Sequence, residues 1–162
     1  MSRPVLLPLF EWCDGLAMSQ AYRDSTYLFP VTQALHLLAV TIFVGAIVIG
    51  DLRLLGWGPV GQSRASVARS AQRILLWAGL AVLLTGIPQF TTNALTYHRS
   101  WLFVLKMWIL AAALLFTATV RQRVAVADEG HLSSWVPRVV GAVSLVLWMS
   151  VTISGRLITY YG

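Results

Sequence analysis

The apolar and polar positions divide the chain into four long apolar runs joined by shorter polar stretches, most of them rich in arginine. The runs cover about residues 29–50, 74–93, 101–120 and 139–158. Each is close to the roughly 20 residues that a helix rising 1.5 Å per residue needs to cross a hydrocarbon core of about 30 Å. Pro30 falls in the first turn of the first run, where a missing N–H is harmless. "PQFTTN" makes the last third of the second run polar enough to lie near a membrane face. Pro137 precedes the fourth run, and Tyr160 and Tyr161 close it as an aromatic belt. Ahead of the runs, residues 5–22, "VLLPLFEWCDGLAMSQAY", place Leu6, Leu9, Phe10, Cys13, Leu16 and Ala17 on one helical stripe, with Glu11 and Asp14 off it. That pattern predicts an amphipathic helix lying in the membrane interface. The expected fold is all-α: an integral membrane four-helix bundle with an N-terminal interfacial helix, one domain over residues 1–162, without a sequence repeat between its halves.

Composition agrees. The chain is 57% hydrophobic and 11% charged, with a mean hydropathy of +0.72, whereas about 25% of an ordinary soluble domain is charged. Lipid is therefore the expected solvent. A net charge of +6 would suggest nucleic acid in a soluble protein, but these arginines flank apolar runs, so no nucleic-acid partner is expected. Arg53, Arg64, Arg69 and Arg73 lie between the first and second runs, and Arg121, Arg123 and Arg138 between the third and fourth. The connection between the second and third holds only Arg99. By the positive-inside rule the two arginine-rich connections are cytoplasmic. Both termini and the His98 connection then face outward, toward the periplasm of a bacterium with two membranes. Cys13 is the one cysteine, so no internal disulfide forms, and the residues before it are unlike a lipoprotein signal. Pro8 and Glu11 interrupt the early apolar residues, so no cleavable signal peptide is expected.

Four polar side chains fall in the outer third of the runs, one in each. His36 lies about 9 Å down the first helix and Lys106 about 7 to 8 Å down the third; Gln89 and Arg156 belong to the same layer. A Lys or Arg at a helix centre costs about 2.5 to 3.5 kcal/mol on insertion scales and usually turns toward a bundle interior. Arg156 and Lys106 can also snorkel to the interface, and Gln89 can bond between helices. His36 is too short to snorkel, leaving ligand binding or a structural hydrogen bond across the bundle. His98 is either an interfacial residue or a second ligand. Asp128, Glu129 and His131 read as a solvated loop rather than a metal site. Asp51 is poorly placed for the helix dipole and is expected to pair with Arg53, Arg73 or Arg121.

The segments "ALHLLAVTIFVGAIVIGDLRLLG", "WLFVLKMWIL" and "GRLITYYG" resemble an uncharacterised family of small four-helix bacterial inner-membrane proteins, over nearly the whole chain. Leu35-His36 followed by Arg53, with Trp101-Leu102 and then Lys106, is similar to the HemJ-type protoporphyrinogen oxidases, although Gly50-Asp51-Leu52-Arg53 stands where that family has a Tyr-Leu-Pro-Arg-type segment. That resemblance implies functional roles for His36 and Lys106 and an association with haem. A weaker similarity to CopD-type copper-resistance membrane domains implies copper, for which Met107 and Met149 are the thioethers within the runs. The resulting expectation is a polar pocket holding haem b or a related tetrapyrrole. His36 is the metal ligand, Lys106 and Arg156 meet the propionates, and Gln89 and His98 complete the candidate set. Electron transfer or porphyrin oxidation would follow, with a redox partner or a quinone. The alternatives are a copper or small-cation binding or transport protein, and a non-catalytic membrane subunit whose polar layer only locks four helices together. Ala46, Gly50 and Ala111 to Ala113 allow close helix contacts, within the chain or in a homo-oligomer.

Overall fold

Four helices are long and apolar enough to cross a membrane: Leu28–Leu54, Ser66–Thr92, Trp101–Val126 and Trp135–Ile158. By length and composition this is a multi-pass membrane protein. The computed structural model describes residues 7–57, 64–127 and 133–161, and the described residues form no strand. In chain order the helices are α1 (Leu7–Asp14), α2 (Ala17–Asp24), α3 (Leu28–Leu54), α4 (Arg64–Thr92), α5 (Ala94–Arg99), α6 (Trp101–Phe116), a π-helical segment (Thr117–Arg121), α7 (Gln122–Val126) and α8 (Trp135–Tyr161). Leu38, Ile49, Leu76, Trp77, Leu84, Leu115 and Val146 are all well exposed. In water such a surface would drive aggregation; against lipid tails it is the required one.

With apolar groups outside, close packing and small residues must hold the helices together. α3 packs on α4 and on α8, α8 packs on α6, and the ring closes between α4 and α7. A seven-residue spacing runs through these contacts. His36 and Phe43 of α3 lie against Gly86 and Gly79 of α4: a Cβ added to either glycine would come within 3.2 Å of the His36 ring and 3.3 Å of the Phe43 ring. On α8, Gly141 touches Asp51 and Leu54, Trp148 packs with Ile47, and Gly155 lies against Lys106. Knobs seated in holes at this period give the shallow crossing of left-handed bundles. The central core is Ile47, Ala113 and Trp148, flanked by Phe43 and Leu110. Phe43 meets Trp148 edge-on at 5.0 Å, and the buried indole Nε1–H donates to Thr117 Oγ1 at 3.0 Å.

The N-terminal segment departs from the single interfacial helix expected over 5–22. It forms two short helices, because the extended backbone of Leu16 (ψ 140°) after Gly15 reverses the chain. Ser19 Oγ donates to Cys13 O at 2.9 Å, and Arg23 ties the hairpin by bonding Asp14 (3.0 and 2.7 Å) and Thr92 O of α4 (3.3 Å). The reversal lets α1 pack on α4 and α5 while α2 packs on α4, which one straight helix could not do. Of the expected stripe, Cys13 is buried and Phe10 half-buried, but Leu9 is exposed; Leu6 lies outside the described residues.

The long helices also overrun the expected limits. α4 begins at Arg64, α8 at Trp135, and the third span continues through the π-helical segment to Val126. Arginine favours helix and can carry its charge to the interface on a long stem, so charge ends a hydrophobic run without ending the helix. A short helix, α5, occupies the connection expected to be plain loop. Asp128, Glu129 and His131 lie outside the described residues, as do the side chains of Tyr160 and Tyr161.

Candidate functional site

Two polar centres sit inside the bundle, one toward each end. At the end bearing the N-terminal hairpin, half-buried His36 reaches from α3 to α4, where its Nδ1 lies 2.9 Å from Thr85 Oγ1. The Thr85 hydroxyl gives its one proton to Ala81 O at 2.6 Å, so toward the ring it acts as acceptor. An accepting hydroxyl favours the tautomer with its proton on Nδ1, in which Nε2 carries the lone pair that binds metals; the backbone of Val82 also bonds the ring. Lys106 of α6 lies within electrostatic range of His36. Its stem rests on Gly155 of α8, whose added Cβ would be 3.6 Å from Cε and 3.7 Å from Nζ. The structure thus brings His36 and Lys106 to one level.

The other candidates are placed differently. Gln89 is one turn beyond Thr85, but its Nε2 donates to Thr85 O of its own helix at 3.1 Å. Thr91, Thr92 and Asn93 bond carbonyls of α4 in the same way, which is how the polar last third of the second run tolerates the membrane face. Arg156 is exposed. His98 is half-buried in α5 with its ring edge-on to Phe10 at 5.1 Å, in an aromatic cluster rather than beside His36. No group of three or more His, Cys, Asp or Glu that could hold a metal occurs among the described residues.

The second centre lies toward the arginine-rich end. Arg121, expected in a loop, is instead buried within the third span and is the partner of Asp51 chosen from the three expected. Its Nε donates to Asp51 Oδ1 at 2.6 Å and its Nη2 to Ile47 O at 3.2 Å. The Asp51 side chain is 0% and that of Arg121 4% exposed. The π-helical segment explains the aim: its wider i→i+5 turn, closed by Gln122 N–H to Thr117 O, rotates Arg121 inward. Gly50 leaves the guanidinium room, since a Cβ there would be 2.5 Å from Nη2. Among the described residues, two buried oxygens lack a hydrogen-bond partner, Asp51 Oδ2 and Ser144 Oγ; the serine lies beside the carboxylate.

Residues 9–161 match the model of a family of unknown function, DUF6644. The chain belongs to that family. No curated protein and no solved structure matches it, so the expected similarity to HemJ-type and CopD-type proteins finds no support there. The sequence reading missed Thr85, Ser144, and the roles of Gly86, Gly141 and Gly155. The glycines carried a usable signal, because on α8 Gly141, Trp148 and Gly155 repeat at seven residues. Thr85 carried none, being one hydroxyl among several in the spans.

Proposed function

We propose that this DUF6644 protein binds haem b or a related tetrapyrrole in the hairpin-end half of its bundle, for electron transfer or porphyrin oxidation. The observation that carries the reading is the hydrogen-bond chain from His36 to Thr85 to Ala81, which holds an imidazole inside a membrane with its Nε2 lone pair uncommitted to Thr85. The residues present suit the group. His36 would supply a nitrogen ligand, Thr85 would orient its ring, and Lys106 would supply a cation for a propionate. Gly86 and Gly155 give the His36 ring and the Lys106 stem the room that they occupy. Bound iron would supply one-electron chemistry. A copper reading has less behind it, because Met107 lines the aromatic cluster and Met149 is exposed on α8, so neither soft ligand accompanies His36.

We further propose that the end carrying Arg53, Arg69, Arg73, Arg123 and Arg138 is cytoplasmic, in a bacterial inner membrane, with both termini on the outer side. Removing Arg121 from the loop count leaves the asymmetry intact.

The test is an absorption spectrum of protein expressed with haem supplied. Wild type should show a Soret band with reducible α and β bands, and His36→Ala should lose or shift it while the helices remain folded. Wild type that purifies colourless under those conditions overturns the proposal.

A further inference from the structure

A concavity of about 330 Å³ opens on a different face of α6 from the one that carries Lys106. Phe103, Val104, Met107 and Ala111 form its floor, and Trp108, 72% exposed, stands at its rim. Phe10 of α1 and the Tyr97–His98 pair of α5 wall its interfacial end. The rings are ordered: Tyr97 and Phe103 stack at 5.0 Å with planes 10° apart, Phe90 continues the stack 5.6 Å from Phe103, and Phe10 closes on Phe90 edge-on at 5.6 Å.

Three properties define an occupant. The pocket opens beside the lipid-facing residues Met107 and Trp108, so its ligand arrives through the bilayer. Tyr97 and Phe103 are stacked on each other, so a flat conjugated ring would lie in offset stacking against the aromatic surface that this pair and Trp108 present to the concavity. Apart from the Trp108 indole N–H at the rim, the hydrogen-bonding side chains of the lining are His98 and Tyr97 at the interfacial end, while Val104, Met107 and Ala111 lead along α6 toward the membrane interior. Burial pushes the Tyr97 phenol up from its ordinary value, so it remains a neutral donor. The volume is at the small end for ligand sites: it suits one or two fused rings and is too small for a macrocycle.

We propose that this pocket binds the head ring of a lipid-soluble quinone, its oxygens toward His98 and Tyr97 and its tail along α6 into the bilayer. The site shares no side chain with the His36 centre. It rests on the electron-transfer reading only for its role as that centre's partner; binding stands alone.

The experiment uses the full chain in nanodiscs of quinone-free phospholipid, titrated with a short-tailed benzoquinone and followed by tryptophan fluorescence. Saturable quenching is expected, largely lost in Trp108→Phe. Ala111→Phe, a change at an exposed position that fills the floor, should weaken binding by about tenfold, and Val104→Phe checks that result from the neighbouring turn. His36→Ala should leave the affinity unchanged, so a colourless protein that still binds quinone refutes the haem reading and not this one. Quenching that never saturates, that is the same in Ala111→Phe and Val104→Phe, or that is matched by competition from an analogue with a cyclohexane ring, overturns the proposal.

Discussion

The two polar centres share one bundle and handle polarity in opposite ways. At the arginine-rich end an aspartate and an arginine are removed almost wholly from solvent, the cation bonds both the carboxylate and a backbone carbonyl, and glycines 50 and 141 admit no extra atom beside them. At the hairpin end a half-buried histidine uses one ring nitrogen on a threonine, and the nearby lysine meets it only at electrostatic range. The first centre is closed on itself and joins α3, the third span and α8. The second is only partly buried and holds a histidine and a lysine at one level. A sealed internal ion pair is thus no sign of a ligand site: it locks helices, whereas a ligand needs polar groups that it can reach.

That contrast breaks most readily at the sealed end. Asp51→Ala leaves the Arg121 cation without its counter-charge and should lower stability by about 3 to 5 kcal/mol, read as thermal unfolding in detergent; Asp51→Leu with Arg121→Met should recover much of the loss. If the single and double variants unfold alike, the centre is not held by mutual compensation. Next come the glycines. Gly141→Ala would place a Cβ 2.9 Å from Asp51 O, a backbone atom that cannot swing aside, and should cost about 1 to 3 kcal/mol. Gly86→Ala meets the movable His36 ring instead, so its effect should appear in the haem spectrum more than in the melting curve.

The smaller effects sharpen the comparison. Thr85→Val removes the acceptor that fixes the His36 tautomer and, as loss of an outer-shell partner, should weaken haem retention about 10- to 100-fold with little change in unfolding; retention equal to wild type would show that the network does not select the tautomer. Thr117→Val removes the acceptor of the Trp148 indole N–H, between the two centres, at almost unchanged volume. It should cost about 0.6 kcal/mol, the ordinary value of an interhelical hydrogen bond in a membrane, and leave both centres otherwise intact.

Four apolar spans and the shared level of His36 and Lys106 were legible in the sequence because they follow from local quantities: a run of apolar residues, a rise of 1.5 Å per residue, and the cost of charge in lipid. Their limits were not. Arg64, Arg69 and Arg73 end the apolar signal while helical hydrogen bonding continues through them, and Gly15-Leu16 turns what scores as one stripe into a hairpin clamped by Arg23 on Thr92. What only the tertiary structure decided was partnership. Arg53, Arg73 and Arg121 were equal candidates for Asp51 until the π-helical turn aimed Arg121 at it. Gln89 stood at the depth of His36 and His98 at the interface beside it, yet Gln89 bonds its own helix and His98 packs on Phe10. Depth along each helix is set by counting residues, whereas the direction of a side chain around its axis, and so its neighbour, depends on how four helices rotate to seat Phe43, His36 and Trp148 among glycines.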